Sequence, residues 1–241
     1  MGDDECRAAV CVRLGVSPVV FPTCACACGV SLAANDANYH SLGCAQLKHL
    51  VSSRHNRVQQ VLAEVLRSAG AHVFIEPPVS DDRRLDLLVM VGASTWALDV
   101  SIVNPAAPSY LADSSGLRLG AVAQRAEREK VAKYAADARL LNAQLLPFVV
   151  DCYGHFGAYA KEFLQEVCTK LRDVHDQPFQ KTHARLVNAI SIAVQRGNAL
   201  CLHSAAAYAS NARLVGELGR RRAAPRPGAF AAAAAAAAAE P

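Results

Sequence analysis

Long apolar runs are missing from this chain. Its densest apolar stretch, Leu87–Val91, falls far short of the ~20 residues that a bilayer-crossing helix needs. The alanine run at 231–239 is too weakly hydrophobic and too short to insert. Charge is also sparse. Charged residues make up 19% against 52% apolar, which excludes global disorder and predicts a packed core. No leader is legible either. Met1-Gly2-Asp3-Asp4-Glu5 is acidic, so it reads as neither a secretory signal nor a transit peptide. Position 6 is cysteine, not Ser or Thr, so Gly2 lacks a myristoylation context. These absences predict a nuclear or cytoplasmic protein that is not secreted and has no membrane partner.

Cysteine, by contrast, is plentiful. The 241 residues include nine, and Cys24, Cys26, Cys28 and Cys44 crowd into one short segment. Without a secretion signal, this clustering favours a metal site over disulfides. Cys26-x-Cys28, eleven residues, His40, three residues and Cys44 supply three thiolates and an imidazole, a closed tetrahedral set for structural Zn²⁺. Cys24 offers a second register. The other reading is reduced cysteines in an alanine-rich loop with a surface histidine. Net charge is +4, which permits a polyanionic partner without requiring one.

Five parts are legible. Residues 1–23 show no clear period. The segment 24–48 holds the Cys/His cluster, 49–155 an α/β core, 156–218 helices, and 219–241 a low-complexity tail. Within the core, Val58, Val61, Leu62, Val65, Leu66 and Ala69 form one apolar stripe, which predicts a helix over 53–69 capped by Ser52 or Ser53 and closed by Gly70. Strands are expected at 72–76, 86–91, 96–103 and 145–153. A second core helix is expected over 117–141. Helices over 156–173 and 179–218 follow, broken at Pro178.

The acids on the expected hairpin are the main functional signal. If 92–95 is a four-residue loop, residue 88 faces 99 and residue 86 faces 101. Asp86, Asp99 and Ser101 then share one face, while Leu98, Val100 and Ile102 form the core face. Asp86 and Asp99 would be diagonal neighbours, roughly 7–8 Å apart. Two such carboxylates can converge on Mg²⁺, or they can be solvated strand positions. Lys130 and Lys133, at i and i+3 on the next helix, are candidates to stabilise developing charge. Lys133 also fits a salt-bridged solvent face through Glu129 and Asp137. Arg54-His55-Asn56 opens the first helix, where backbone N–H groups favour phosphate, and His55 can also approach the metal pocket. The same triplet also fits an ordinary polar first turn.

Taken together, these residues resemble a known family. Cys26-x-Cys28-Gly29, His40-x-x-x-Cys44, Arg54-His55-Asn56, Gly70, Glu76-Pro77, Arg84-Leu85-Asp86-Leu87, Leu98-Asp99-Val100-Ser101, Lys130-x-x-Lys133-Tyr134 and Pro147-Phe148 stand in order. The pattern is similar to the PD-(D/E)XK nuclease superfamily, and within it to the restriction-endonuclease-like domain of non-LTR retrotransposon proteins. The resemblance covers about 24–155. It implies an α-β-β-β-α-β core with a mixed sheet, preceded by a zinc knuckle and followed by helices. It implies Mg²⁺- or Mn²⁺-dependent DNA cleavage, with Asp86 and Asp99 as metal-binding acids and Lys130 or Lys133 as the catalytic lysine. The knuckle and Arg54-His55-Asn56 would then position DNA, and RNA or other retroelement proteins are further implied partners. Two positions depart from the pattern. Leu85 replaces the proline before the first acid, and Ser101 stands where the simplest members carry the lysine. The chain would be a fragment, a relic or a domesticated piece of a retroelement. The alternatives are a DNA-binding module without catalysis and a zinc-stabilised interaction protein.

Overall fold

The computed structural model describes residues 1–14, 28, 40–80, 83–112 and 118–223. The chain is mixed α/β, as expected. Its central sheet has four strands in the order β1 (His72–Ile75), β4 (Leu87–Val91), β5 (Ser94–Val103) and β6 (Gln144–Asp151). The first three run antiparallel to their neighbours, and β6 joins β5 in parallel. The parallel step requires a crossover, which α4 (Ala121–Leu140) provides together with the short helix α3 (Pro108–Ala112). A separate two-stranded ribbon pairs β2 (Pro78–Ser80) with β3 (Arg83–Arg84).

Helices cover both faces. On one lie α2 (Lys48–Ser68), α5 (Ala158–His175) and α6 (Phe179–Ala223), whose Val58, Leu62, Leu66, Phe163, Val167 and Ile190 pack against Val89, Leu98, Val100 and Phe148 of the sheet. Phe163 meets Trp96 and Phe148 edge-on at centroid distances of 5.8 and 6.0 Å. On the other face α4 packs Ala123 and Ala126 against Val149, and Tyr134 against Ala97. The helices after residue 156 therefore belong to the same core as the sheet.

Several boundaries differ from the sequence reading. Residues Asp3–Leu14 form a helix, α1, where no structure was expected. It buries Ala8, Ala9 and Val12, and it is tied to α6 by Arg196 Nε donating to Glu5 Oε2 at 3.1 Å. Helix α2 starts at Lys48, five residues before the expected start. The hairpin turn is Gly92-Ala93, not a four-residue loop, and Val91 pairs with Ser94. Gly92 adopts φ 58°, which a two-residue hairpin turn favours. The register thus moves by two, so Leu87 pairs with Leu98. An even shift leaves each side chain on its expected face. Cys24 and Cys26, and the tail beyond 223, lie outside the described residues. Among the described residues no helix is long and apolar enough to cross a membrane.

Candidate functional site

The corrected register makes Asp86 and Asp99 the residues next after the Leu87–Leu98 pair, so the two acids come alongside each other instead of lying on a diagonal. Asp86 is held firmly. Its Oδ2 accepts the Val100 N–H at 2.6 Å, and its carbonyl accepts Gln59 Nε2 at 2.7 Å and the Glu76 N–H at 2.9 Å. Its Oδ1 lies 3.4 Å from Nε2 of His55 on α2. Asp99 is 4% exposed and faces α4. Lys130 Nζ lies 2.7 Å from Asp99 Oδ2, an ion pair whose angle is off that of a good hydrogen bond. Tyr134, on the same helix as Lys130, lines the cleft with Asp99.

Electrostatics follow from this packing. Burial raises the Asp99 carboxyl above its ordinary value, and the nearby Asp86 charge adds to the rise. Lys130 and the Tyr134 hydroxyl pull it back. His55 is raised by its hydrogen bond to Asp86, against the opposing effects of burial and of Lys130.

These groups line one open cleft of about 520 Å³. Its walls are α2, with Ser52, His55 and Asn56, and α4, with Glu129, Lys130 and Tyr134. β5 lines it from Asp99 to Val103, and so does Tyr110 of α3. The structure therefore brings together Asp86, Asp99, Lys130, His55 and Asn56. It separates out Lys133, which is exposed and lies with its Nζ 4.6 Å from the Tyr134 ring centroid.

Arg54 is placed otherwise than expected. It is 2% exposed. Nη1 donates to Asn198 Oδ1 at 2.7 Å and Nη2 to the Leu42 carbonyl at 3.1 Å, while Nε is buried without a partner. Because α2 begins at Lys48, the 54–56 triplet sits in the second turn. Its N–H groups do not form a helix N-terminus, and Arg54 turns inward instead of meeting phosphate.

A second group of ligands lies beside this clasp. Cys28, His40 and Cys44 bring one donor atom each within 4.8 Å of one another, so they can hold a metal ion. Cys28 Sγ and His40 Nε2 are 3.1 Å apart, near the ~3.5 Å that follows from Zn–S and Zn–N bonds of ~2.3 and ~2.0 Å at a tetrahedral angle. Among the described residues it is the only such trio. Cys44 and Leu47 pack on Ala205 of α6.

The sequence did not mark Tyr134 and Tyr110 of the cleft, or Gln59 on the Asp86 carbonyl, as site residues. Gln59 lies four positions after His55, which puts both on one helix face. Tyr134 stands in the same relation to Lys130. Tyr110 had no local signal, because its place follows from the crossover. Compared with known proteins, no family model matches this sequence and no curated protein does.

Proposed function

We propose that this protein is a metal-dependent DNA endonuclease of the restriction-endonuclease-like type, of retroelement origin. The observation that carries the reading is the juxtaposition of Asp86, Asp99 and Lys130 in one cleft, with Lys130 Nζ at 2.7 Å from Asp99. The element order of the sheet layer, α2-β1-β4-β5-α4-β6, supports the same reading. Two adjacent carboxylates form the donor set that a hard cation such as Mg²⁺ takes, with waters and a phosphate oxygen completing its shell. Such an ion would acidify a bound water and offset charge on the phosphoryl group. Asp86, fixed by Val100 and His55, would present a rigid ligand. Lys130 would neutralise charge gathering on the phosphate as it swings from Asp99. Zn²⁺ at Cys28, His40 and Cys44 would be structural. The fourth ligand expected from sequence, Cys26, lies outside the described residues.

Plasmid nicking by the purified protein with Mg²⁺ or Mn²⁺ tests this directly. Nicking should vanish in Asp86→Ala and Asp99→Ala, and fall at least a hundredfold in Lys130→Ala, while Lys133→Ala stays near wild type. Equal nicking by the Asp86 variant would overturn the assignment. A second reading, a DNA-binding module without catalysis, rests on Ser101 at the lysine position. Wild-type DNA binding without nicking would favour it.

A further inference from the structure

The cleft is poor in available positive charge. The Lys, Arg and His residues that line it among those described are Arg54, His55 and Lys130. Each is already engaged by the protein, through Asn198 and Leu42, through Asp86, and through Asp99. Duplex DNA is held chiefly by cations on its phosphates. Single strands are held differently, by aromatic rings on which unpaired bases stack, with Arg adding cation–π support.

That second kind of surface is present. Tyr110 lines the cleft, and the Arg125 guanidinium lies 5.3 Å from its ring centroid. Tyr134 lines it too, with Lys130 Nζ 5.6 Å from its ring centroid. Arg125 precedes Lys130 by five residues on α4, roughly 7–8 Å along the helix axis. Tyr110, Asp86 and Asp99 line the same cleft. Val103 and Ala126 line it too, and they suit a base better than a phosphate.

We infer that the cleft takes an unpaired, single-stranded DNA segment, with a base stacked on Tyr110 and the neighbouring phosphate at Lys130 and at the cation that Asp86 and Asp99 would hold. This rests on the nuclease reading and names its substrate class. Base–aromatic stacking of this kind contributes ~1–3 kcal/mol, which is roughly 5- to 150-fold in affinity.

The test uses the full chain carrying Asp86→Ala, so that DNA survives. Fluorescence anisotropy compares a labelled 20-mer single strand with the same sequence as a duplex. The single strand should bind at least tenfold more tightly. Adding Tyr110→Ala should weaken single-strand binding at least fivefold, Tyr110→Phe should restore it, and duplex binding should not change. Tyr110→Leu keeps the bulk without the ring, so it gives the same answer if the alanine variant fails to fold. A duplex bound as tightly as the single strand, or Tyr110 variants equal to the parent on single strands, overturns the inference and leaves the nuclease reading standing. No binding of either DNA at low salt overturns both.

Discussion

Adjacent residues of α2 face in opposite functional directions. His55 reaches Asp86 in the cleft, whereas Arg54 is locked inside against Asn198 and Leu42. The proton on His55 is bound more tightly in the folded state, because its folded pKa lies above the ordinary value near 6.5. The stability it contributes is thus complete below that ordinary value and disappears as pH rises through the raised one. Urea unfolding should show wild type exceeding His55→Gln by ~0.5–1 kcal/mol more at pH 6 than at pH 9. A constant difference would mean that the contact does not form. Arg54 yields a prediction with an unusual sign. Replacing an interior helix glycine by alanine ordinarily stabilises by ~1 kcal/mol. At Gly197 the added methyl would run into the Cβ and Cγ of Arg54. Gly197→Ala should therefore destabilise by ~1–3 kcal/mol, read from the urea midpoint. The approach of His55 to the acids was legible beforehand, whereas the Arg54 clasp was not. Arg54 and Asn198 are 144 residues apart, and Ser52-Ser53 resembles a cap, which set the expected helix start too late and turned Arg54 outward.

At the level of elements, patterning succeeded where one face is apolar. The stripe on α2 and the alternation on β5 placed the acids on the right side of the sheet. The turn length was misjudged, yet the two-residue error preserved every face, whereas an error of one would have buried Asp99 in the aliphatic core. Helix α1 went unseen because it buries chiefly alanines, which give almost no periodic signal. Helix α5 shows a device that local sequence cannot reveal. Its N-cap position is Gly157, which has no side chain to cap with. The cap comes from α4, where Glu127, 2% exposed, accepts the Tyr159 N–H at 3.0 Å. Burial holds the Glu127 carboxyl above its ordinary value. Glu127→Ala should lower stability by ~1–2 kcal/mol, as loss of an ordinary N-cap does, and thermal unfolding followed by circular dichroism will measure it.

Across the whole molecule, cysteine divides by environment. Burial pushes the Cys152 thiol up to about 12 and the Cys168 thiol up to about 11, and it raises Cys201 as well. These three are core groups and chemically quiet. Cys6 is exposed and Cys11 half-buried, while Cys28 and Cys44 belong to the ligand trio. Thiol alkylation read by peptide mass should modify Cys6 and Cys11 in the zinc-loaded protein, add Cys28 and Cys44 after chelation, and reach Cys152, Cys168 and Cys201 only on unfolding. Modification of Cys28 and Cys44 at the same rate before and after chelation would remove the case for a metal there.

The Arg54 clasp also dictates an order of assembly. Asp86 and Asp99 are joined by a tight hairpin and can meet as soon as their own strands exist, since short loops close fast. Lys130 arrives only when the crossover helix has formed. The clasp on Arg54 closes last, because Asn198, which shares its guanidinium with the Leu42 carbonyl, emerges from the ribosome 144 residues after Arg54. During synthesis at ~5–20 residues per second, the acid pair therefore precedes the docked cysteine loop by several seconds. In a nascent chain the acids come first, and Cys44, which packs on Ala205 of α6, is shielded later.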